Sequence, residues 1–285
     1  VSLSLNGNLD SFRFEQEIDM VALKYRVPDF FKKQPNIVNE FKAKGSVSKS
    51  GGLTIDKWIY KLNGNQISGS ARILNLDNPE FNFILEANNF YVKPTQRFFR
   101  FFDADMDGST DFKIVGSGNL NDLQEAKYAG EIELKKFKIR PENFLSSLEV
   151  DASLEFQENR LDILSANIDS DQNELSFSGK YQRGDSPHLD LKLIGKRLDI
   201  DGIFPEPKSQ EKSLIDRLNQ SEFFSKGKGR VRFNLDRLGY KLLKLDKVAG
   251  EIFLKNKEIE DLKTKVEIES IHAEIYNLKI LAQQK

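Results

Sequence analysis

Apolar and polar side chains alternate along most of this chain in runs of about five residues. The clearest runs are residues 81–85, 189–193 and 231–235, in which every second residue is apolar. Because successive side chains of a β-strand point to opposite faces, a spacing of two predicts strands with one apolar and one polar face. Turn sequences such as Asn63-Gly64 and residues 183–187 separate the runs and predict antiparallel hairpins. The chain is therefore predicted to be all-β.

Two long stretches of the chain match each other without gaps. Residues 53–92 match residues 161–200 at an offset of 108, with the apolar positions kept and Asn65 meeting Asn173. Self-similarity at a fixed spacing is typical of proteins built from repeated structural units. We therefore interpret the chain as a tandem repeat of roughly 110 residues.

A second match supports this interpretation and locates an insertion. Residues 129–135 match residues 249–255 at an offset of 120, and the extra residues fall in the polar, proline-containing segment 205–226. The matches predict a first β repeat region, a second that contains the insertion, and a partial third, at residues 1–129, 130–249 and 250–285. Since Val1 starts directly in a strand pattern, we expect a fragment of a larger protein.

Two segments depart from the alternation and are predicted to be short connecting helices. They are residues 94–102 and residues 213–224, and each follows a strand of the first match. In the second, apolar residues recur at helical spacing, so its phenylalanines could cover an apolar sheet. We expect both segments to serve mainly as connectors.

The balance of charge excludes one class of partner. Lys and Arg number 43 against 44 Asp and Glu, so the chain has no net positive field to attract nucleic acid. Hydrophobic residues make up 39% and charged residues 31%, which suits sheets with one apolar and one hydrated face. There is no cysteine, which excludes disulfides and thiolate chemistry and leaves the compartment open.

The sequence has no catalytic signature. His188 and His272 lie far apart within alternating strands, and no nucleophile elbow, phosphate-binding loop or paired metal-binding histidines occur. The short basic runs at residues 24–26 and 135–140 are typical of solvated strand faces, though they could also meet lipid headgroups. We expect a protein without enzymatic activity and without a cofactor.

One acidic stretch matches part of a calcium-binding loop. Its carboxylates have the spacing of positions 1, 3, 5 and 9, but Ile114 stands where the twelfth-position glutamate should be. A charged hairpin loop is the favoured interpretation, and the weak calcium candidates are Asp103, Asp105, Asp107 and Asp111.

The repeated unit resembles the AsmA-like family. The likeness lies in residues 76–87 and 186–204, where a polar turn closing on proline precedes a long alternating strand, and residues 229–248 are also similar. The resemblance implies an envelope protein of Gram-negative bacteria, anchored in the inner membrane and extending through the periplasm. Such proteins are thought to carry phospholipids in a long β groove with an apolar interior, and some members assist outer-membrane protein assembly.

On this basis we expect an elongated, twisted antiparallel sheet, built from tandem repeats and curled into an open groove. Its partners would be phospholipid acyl chains, with inner- and outer-membrane proteins as further partners. Alternation alone also fits a closed sandwich core that serves as a structural or protein-interaction module, and more weakly a carbohydrate-processing or carbohydrate-binding protein. The candidate lining residues are Phe81, Phe83, Leu85, Ile132, Leu134, Leu189, Leu191, Leu193, Val231, Phe233, Leu235, Ile252 and Leu254.

Overall fold

The protein is nearly all β, as predicted. A computed structural model describes residues 1–8, 10–27, 31–33, 35–49, 51–75, 77–98, 105–140, 147–199, 227–240, 243–255, 258–268 and 271–275. Within these ranges the chain forms eighteen strands and one short helix. The strands divide between two compact units, which are described in turn.

Unit 1 comprises Val1–Phe137 and Phe156–Glu158. Its main strands follow the order β1-β2-β5-β6-β7-β8-β9-β10, while β3 and β4 form a separate hairpin. The bounds are β1 Ser2–Gly7, β2 Ser11–Asp19, β3 Tyr25–Val27, β4 Phe31–Lys33, β5 Asn39–Ser48, β6 Gly52–Leu62, β7 Asn65–Leu74, β8 Glu80–Tyr91, α1 Lys93–Gln96, β9 Asp105–Asn119 and β10 Asp122–Arg140, of which the last residues belong to unit 2.

Unit 2 comprises Lys138–Glu155 and Asn159–Lys285. Its strands follow the order β11-β12-β13-β14-β15-β16-β17-β18. The bounds are β11 Leu148–Gln157, whose end belongs to unit 1, β12 Arg160–Ser170, β13 Asn173–Gln182, β14 His188–Asp199, β15 Lys228–Tyr240, β16 Leu243–Lys255, β17 Glu258–Ile268 and β18 Ile271–Ile275. These units are defined by contacts rather than by sequence similarity, so the regions 1–129, 130–249 and 250–285 stay predictions.

Three strands of unit 1 have close counterparts in unit 2. The bounds of β6, β7 and β8 each differ by 108 from those of β12, β13 and β14. A bulge interrupts the β6–β7 register between Ile55 and Trp58, and a bulge interrupts the β12–β13 register between Ile163 and Ala166, at the same offset. The matched sequences therefore fold into strands of the same length with the same irregularity.

A buried asparagine makes the same contact in both sets of three strands. The Oδ1 atom of Asn65, at the start of β7, accepts a hydrogen bond from the Tyr91 N–H at 2.7 Å. In β13, the Oδ1 atom of Asn173 accepts one from the Asp199 N–H, also at 2.7 Å. Because a buried main-chain N–H needs a partner, each asparagine stabilises the end of the third strand.

The strand that follows runs in a different direction in the two units. β9 pairs with β8 in antiparallel orientation, whereas β15 pairs with β14 in parallel orientation. The carbonyl oxygen of Pro79 accepts a hydrogen bond from Leu120 just after β9, while that of Pro187 accepts one from Lys228 at the start of β15, each at 2.8 Å. Consequently β10 runs in the direction of β8, whereas β16 runs opposite to β14. The directions differ although residues 129–135 of β10 match residues 249–255 of β16 in sequence.

The predicted connecting helices are found only in part. Residues 93–96 form α1, and Phe98 follows it in a turn, whereas the prediction extended to residue 102. The helix is shorter than the pattern suggested, and residues 99–104 lie outside the described part of the chain. The second predicted helix, residues 213–224, also lies outside it.

Among the described residues, a small cluster of buried apolar side chains lies in each unit. In unit 1, Leu62 and Phe98 are buried together, with Ile37 and Tyr60 packed against them. In unit 2 the cluster consists of Leu175, Leu235 and Val248, with partly buried neighbours around it. Phe98 is supplied by the segment after α1, so a connecting segment covers one end of the first sheet.

Candidate functional site

One face of the unit 1 sheet presents a continuous apolar surface, here called the unit 1 apolar face. Its members are paired across successive strands, so they share a face of the sheet. One row alternates large and small side chains across six strands and reads Phe14, Gly45, Ile55, Ala71, Phe83 and Gly116. Alternation of large and small residues is how the inner faces of curved sheets are filled.

Aromatic rings lie close to the glycines of this face. A Cβ atom on Gly116 would lie 2.4 Å from Cε1 of Phe83, so only glycine leaves room for the ring. The Phe83 ring stacks on Phe81 at 6.1 Å between centroids and reaches Tyr128 at 6.3 Å. Glycine has no side chain of its own to bury, so the rings supply the apolar surface here.

The large side chains in the middle of this face are not fully buried. Phe83 and Leu85 are half-buried, although β8 has a neighbouring strand on each side. On the same strand, the shielded positions are Phe81 and Ala87, at 8% and 4% exposure. In a closed sandwich such central residues would pack against a second sheet to interior density.

The opposite face of unit 1 is charged and hydrated. Lys42 on β5 pairs with Glu17 on β2 at 2.6 Å, and Lys61 on β6 approaches Glu40 at 3.6 Å. The hydrogen bond to Glu17 raises the pKa of the Lys42 ammonium group. The two faces therefore differ as the alternating pattern predicted, one apolar and one ionic.

A comparable apolar surface, here called the unit 2 apolar face, lies on β14, β15 and β16. Its paired positions follow the parallel β14–β15 register and the antiparallel β15–β16 register. The predicted residues here are direct cross-strand neighbours. The pairs are Leu191 with Val231, Leu193 with Phe233, and Val231 with Ile252, while Leu189 and Leu254 both pair with Gly229.

Leu235 was predicted to line the groove, but its side chain is buried and not accessible to a ligand. It is 2% exposed and belongs to the buried cluster with Leu175 and Val248. The remaining members with described side chains, such as Leu189 and Leu191, are half-buried. For Leu254 only the strand position is described.

The candidates of unit 1 also share a face. Phe81, Phe83 and Leu85 lie at alternate positions of β8, and the Phe83 ring contacts Tyr128 on β10. By alternation along β10, Ile132 and Leu134 lie on the same face as Tyr128. The structure thus brings the predicted residues together in two groups, one in each unit.

Sequence reasoning missed several aromatic members of the unit 1 apolar face, among them Phe14, Trp58 and Tyr128. Phe14 pairs with Gly45, Trp58 lies over Gly69, and Tyr128 touches Phe83. A glycine opposite a large aromatic residue is the signal that could have identified them, but it requires the strand register, which the sequence alone does not provide.

The acidic stretch does not form the predicted hairpin loop. Asp105, Asp107 and Asp111 lie within β9, because Gly108 continues the strand with a φ of 110° instead of turning it. Asp103 lies outside the described residues. In the described part of the chain, no group of three His, Asp or Glu residues could hold a metal ion.

The carboxylates of this stretch contact lysines. Asp107 lies 3.2 Å from the Lys93 ammonium group, and Asp111 forms an ion pair with Lys135. Asp111 also accepts a hydrogen bond from the Asn89 N–H at 2.6 Å. Together the lysine and the N–H hold the pKa of the Asp111 carboxyl below its ordinary value.

The remaining polar candidates are surface features. Lys138 of the basic run in β10 pairs with Glu149 at 3.4 Å, which fits a solvated strand face. His188 is exposed at the start of β14, and His272 lies on β18. No described contact brings the His188 side chain together with an acid or a nucleophile, and for His272 only the strand position is described.

A buried lysine was not anticipated from the sequence. Lys33 on β4 is 0% exposed, and its ammonium group donates to the carbonyl oxygens of Met20, Val21 and Leu23 at 2.9, 3.2 and 2.8 Å. Burial lowers the pKa of this lysine. These three hydrogen bonds hold the segment that precedes the β3–β4 hairpin against Lys33.

No protein-family model, curated protein or solved structure matches this chain. Among the described residues, no helix has the length and apolar character needed to span a membrane. The two apolar faces are the features of the chain that bear on its function.

Proposed function

We propose that the chain is a non-enzymatic phospholipid transport segment, in which the apolar faces of its sheets form an open groove that shelters acyl chains. The observation that carries the proposal is the half-buried state of Phe83 and Leu85 on a strand with neighbours on both sides. Large apolar side chains left open to solvent in the middle of a sheet face favour an apolar ligand. Each methylene sheltered there contributes ~0.8 kcal/mol.

The side-chain pattern supports a curved face. Large and small residues alternate across the strands, and the Trp58 and Phe83 rings occupy the space beside Gly69 and Gly116. Most side chains of this surface are apolar or glycine. Acyl chains are flexible and chemically uniform, so shape and burial suffice to bind them, and no catalytic group or cofactor is needed.

The wider setting rests on the AsmA-like resemblance. It comprises a repeat of about 110 residues, short connecting helices, a periplasmic location in a protein anchored in the inner membrane, and partners in the inner and outer membranes. The common bounds and bulges of β6–β8 and β12–β14 support the repeat.

A structural or protein-interaction module is the second candidate. It is favoured by the cluster of Leu175, Leu235 and Val248, whose side chains are 4%, 2% and 2% exposed. Clusters of this kind are typical of a packed core. The two candidates differ in whether Phe83 and Leu191 contact lipid.

Photo-crosslinking tests the proposal with matched controls on the two faces. A benzophenone amino acid replaces Phe83 or Leu191 on the apolar faces, and in separate variants Ile84 or Ile194, which are apolar but lie on the outer faces at 39% and 44% exposure. The chain is purified from a bacterial envelope extract, irradiated and analysed for lipid adducts by mass spectrometry.

We expect phospholipid adducts from positions 83 and 191 and none above background from positions 84 and 194. Native mass spectrometry of the unmodified chain should detect retained phospholipid. A chain that retains no lipid, or adducts that are equally frequent from both faces, would exclude the groove and favour the interaction module.

A further inference from the structure

One end of the unit 1 apolar face is covered by a side chain that does not belong to the sheet. Trp58, Tyr60 and Leu62 occupy alternate positions of β6, so all three lie on this face. Phe98, which follows α1, is 2% exposed and is buried together with Leu62, while Tyr60 packs against them. Phe98 therefore occupies one end of the same surface that carries the half-buried Phe83.

The position of Phe98 is tied to that of the β3–β4 hairpin. The hairpin forms a two-stranded sheet of its own, and the Lys32 N–H on β4 donates a hydrogen bond to the Phe98 carbonyl oxygen at 2.8 Å. The buried Lys33 ammonium group fixes residues 20–23, which lead into the hairpin. Phe98 and the hairpin are together called the end cap.

The end cap has a small apolar contact with the sheet, although the helix before it is anchored. The Asn63 amide donates to the Pro94 carbonyl oxygen at 2.8 Å, which holds α1 beside the turn between β6 and β7. In the described part of the chain, the buried cluster beneath Phe98 consists of Leu62, with Ile37 and Tyr60 partly buried around it. Segments with few buried apolar contacts open at a lower free energy than the sheet they cover.

Displacement of Phe98 would lengthen the accessible apolar face. The distance from Trp58 to Leu62 along β6 is roughly 13 Å, at ~3.3 Å per residue. An acyl chain lying there would cover the same side chains that Phe98 covers in this structure. Phe98 and an acyl chain are therefore alternative occupants of one surface.

We propose that Phe98 gates the unit 1 apolar face. With Phe98 on Leu62 the accessible face ends near Tyr60, and an acyl chain that extends beyond Trp58 displaces the end cap. This inference rests on the proposed lipid binding and adds a regulation of that site. Because the coupling is reciprocal, lipid favours the open cap, and an open cap favours lipid at Tyr60.

Photo-crosslinking at two positions of the apolar face tests the gate. A benzophenone amino acid replaces either Tyr60, beside Phe98, or Phe83, outside the end cap, in the otherwise native chain and in the Phe98→Ala chain. All chains are purified from a bacterial envelope extract, and the adduct yield at position 60 is divided by that at position 83. Loss of the burial of one phenylalanine should raise this ratio about tenfold or more.

Two further variants separate gating from a general loosening of the fold. Phe98→Leu keeps an apolar side chain over Leu62 and should give nearly the native ratio. Val248→Ala shortens a side chain of the buried cluster in unit 2 and should leave the ratio unchanged. Circular dichroism verifies that each variant keeps its sheet content.

Hydrogen exchange measures the reciprocal effect in the native chain. Vesicles of phosphatidylethanolamine and phosphatidylglycerol are added to the delipidated protein, and exchange is followed at the Lys32 N–H, whose acceptor is the Phe98 carbonyl oxygen. Lipid should speed this exchange if it displaces the end cap. In Phe98→Ala the exchange should already be fast and insensitive to the vesicles.

The outcomes distinguish failure of the gate from failure of lipid binding. Absence of adducts at position 83 in every chain would exclude the proposed function and the gate with it. Adducts at position 83 with the same ratio in the native and Phe98→Ala chains, or with an equal rise in Val248→Ala, would overturn the gate alone. Exchange at Lys32 that ignores lipid would likewise make Phe98 a fixed part of the fold.

Discussion

Strands β6–β8 of unit 1 and β12–β14 of unit 2 share their lengths, a bulge and a buried asparagine contact, but they differ in the strand that comes next. Residues 92–104 connect β8 to an antiparallel β9, whereas residues 200–227 connect β14 to a parallel β15. A parallel connection must carry the chain back along the preceding strand. For β14, with 12 residues, that distance is roughly 40 Å.

The insertion in unit 2 changes the direction of the strand that follows it. Residues 92–104 include α1, in which the chain advances only ~1.5 Å per residue. This connection is therefore too short to carry the chain back along β8 without strain. Residues 200–227 contain the insertion predicted at 205–226 and are long enough for such a return. Local sequence sets the strands and their irregularities, while the length of the connection permits a change of direction.

The largest effect is expected from cysteine pairs that report strand direction, since the chain has no native cysteine. His188→Cys with Lys228→Cys joins the paired starts of β14 and β15 and should oxidise to a disulfide. His188→Cys with Arg237→Cys should not, because Arg237 lies near the far end of β15. Gel mobility without reductant measures both.

The matched pair in unit 1 has the opposite geometry. Asn82→Cys with Ser117→Cys should oxidise, because these residues are paired near opposite ends of β8 and β9, whereas Asn82→Cys with Ser109→Cys should not. If His188 and Arg237 joined instead, β15 would be antiparallel, and the difference between the two units would disappear.

The asparagine contacts should be the next most sensitive features. Asn65→Ala leaves both the N–H and the carbonyl of Tyr91 without this partner, because the Asn65 amide also donates to the Tyr91 oxygen at 2.7 Å. Asn173→Ala removes one bond to Asp199 and one to the Ser170 hydroxyl. The Tyr91 carbonyl keeps the Thr95 hydroxyl as a donor at 3.2 Å, so each variant leaves one main-chain N–H unsatisfied, at a cost of about 1–3 kcal/mol. We expect Asn65→Ala to be the more destabilising because both of the bonds it loses are to the main chain.

Hydrogen exchange with mass spectrometry would measure this difference. Asn65→Ala should speed exchange at Tyr91, and Asn173→Ala at Asp199, each within its own unit. Asn82→Ala, at an exposed position of β8, is the control and should change neither. Fast exchange at both sites with either variant would contradict the view that each contact acts locally.

An effect no larger than that of the asparagine variants is expected where the two apolar faces differ in packing. Phe83 pairs with Gly116, whereas its counterpart Leu191 pairs with Val231. Gly116→Val forces a side chain into the space of the Phe83 ring, and overpacking costs typically about 1–3 kcal/mol. Chemical denaturation should show this loss, and Phe83→Leu in the same chain should recover most of it by reproducing the unit 2 pair.

Failure of the double variant to recover stability would contradict this account. The loss would then come from the main chain of β9 rather than from the ring. Gly184→Val, at a turn where an added Cβ meets no atom within 4 Å, is the control for the change of residue type.

The smallest effect is expected from the ion pair of Asp111 with Lys135. Because the folded-state pKa of Asp111 is lowered, its contribution to stability is present above the unfolded-state pKa and is lost as the pH falls through the folded-state pKa. Asp111→Asn should therefore lower stability at neutral pH and flatten the acid limb of the stability curve. Denaturation at several pH values measures both, and a parallel shift at all pH values would contradict the assignment.

Much of the strand structure could be predicted because it depends on short-range alternation. Phe81, Phe83 and Leu85 occupy one face of β8 since a spacing of two allows no other arrangement in a regular strand. The turn at Asn63-Gly64 was also evident, and both residues have the positive φ angles, 49° and 89°, that a tight hairpin requires.

Other features could not be predicted because they depend on contacts between distant segments. Asp107-Gly108 has the sequence of a turn, yet pairing keeps it within β9. Lys33 has the composition of a surface residue, yet three carbonyl groups from the segment at residues 20–23 surround its ammonium group. In both cases the partner lies outside the window that a local pattern can sense.

The sequence by itself determined where the strands lie, which face of each is apolar, and that residues 53–92 and 161–200 form the same three strands. Only the tertiary structure decided the direction of β15 and the placing of the Phe83 ring over Gly116. The physical reason is that alternation acts through the geometry of one strand, whereas direction and register depend on connections and on neighbours far away in the chain.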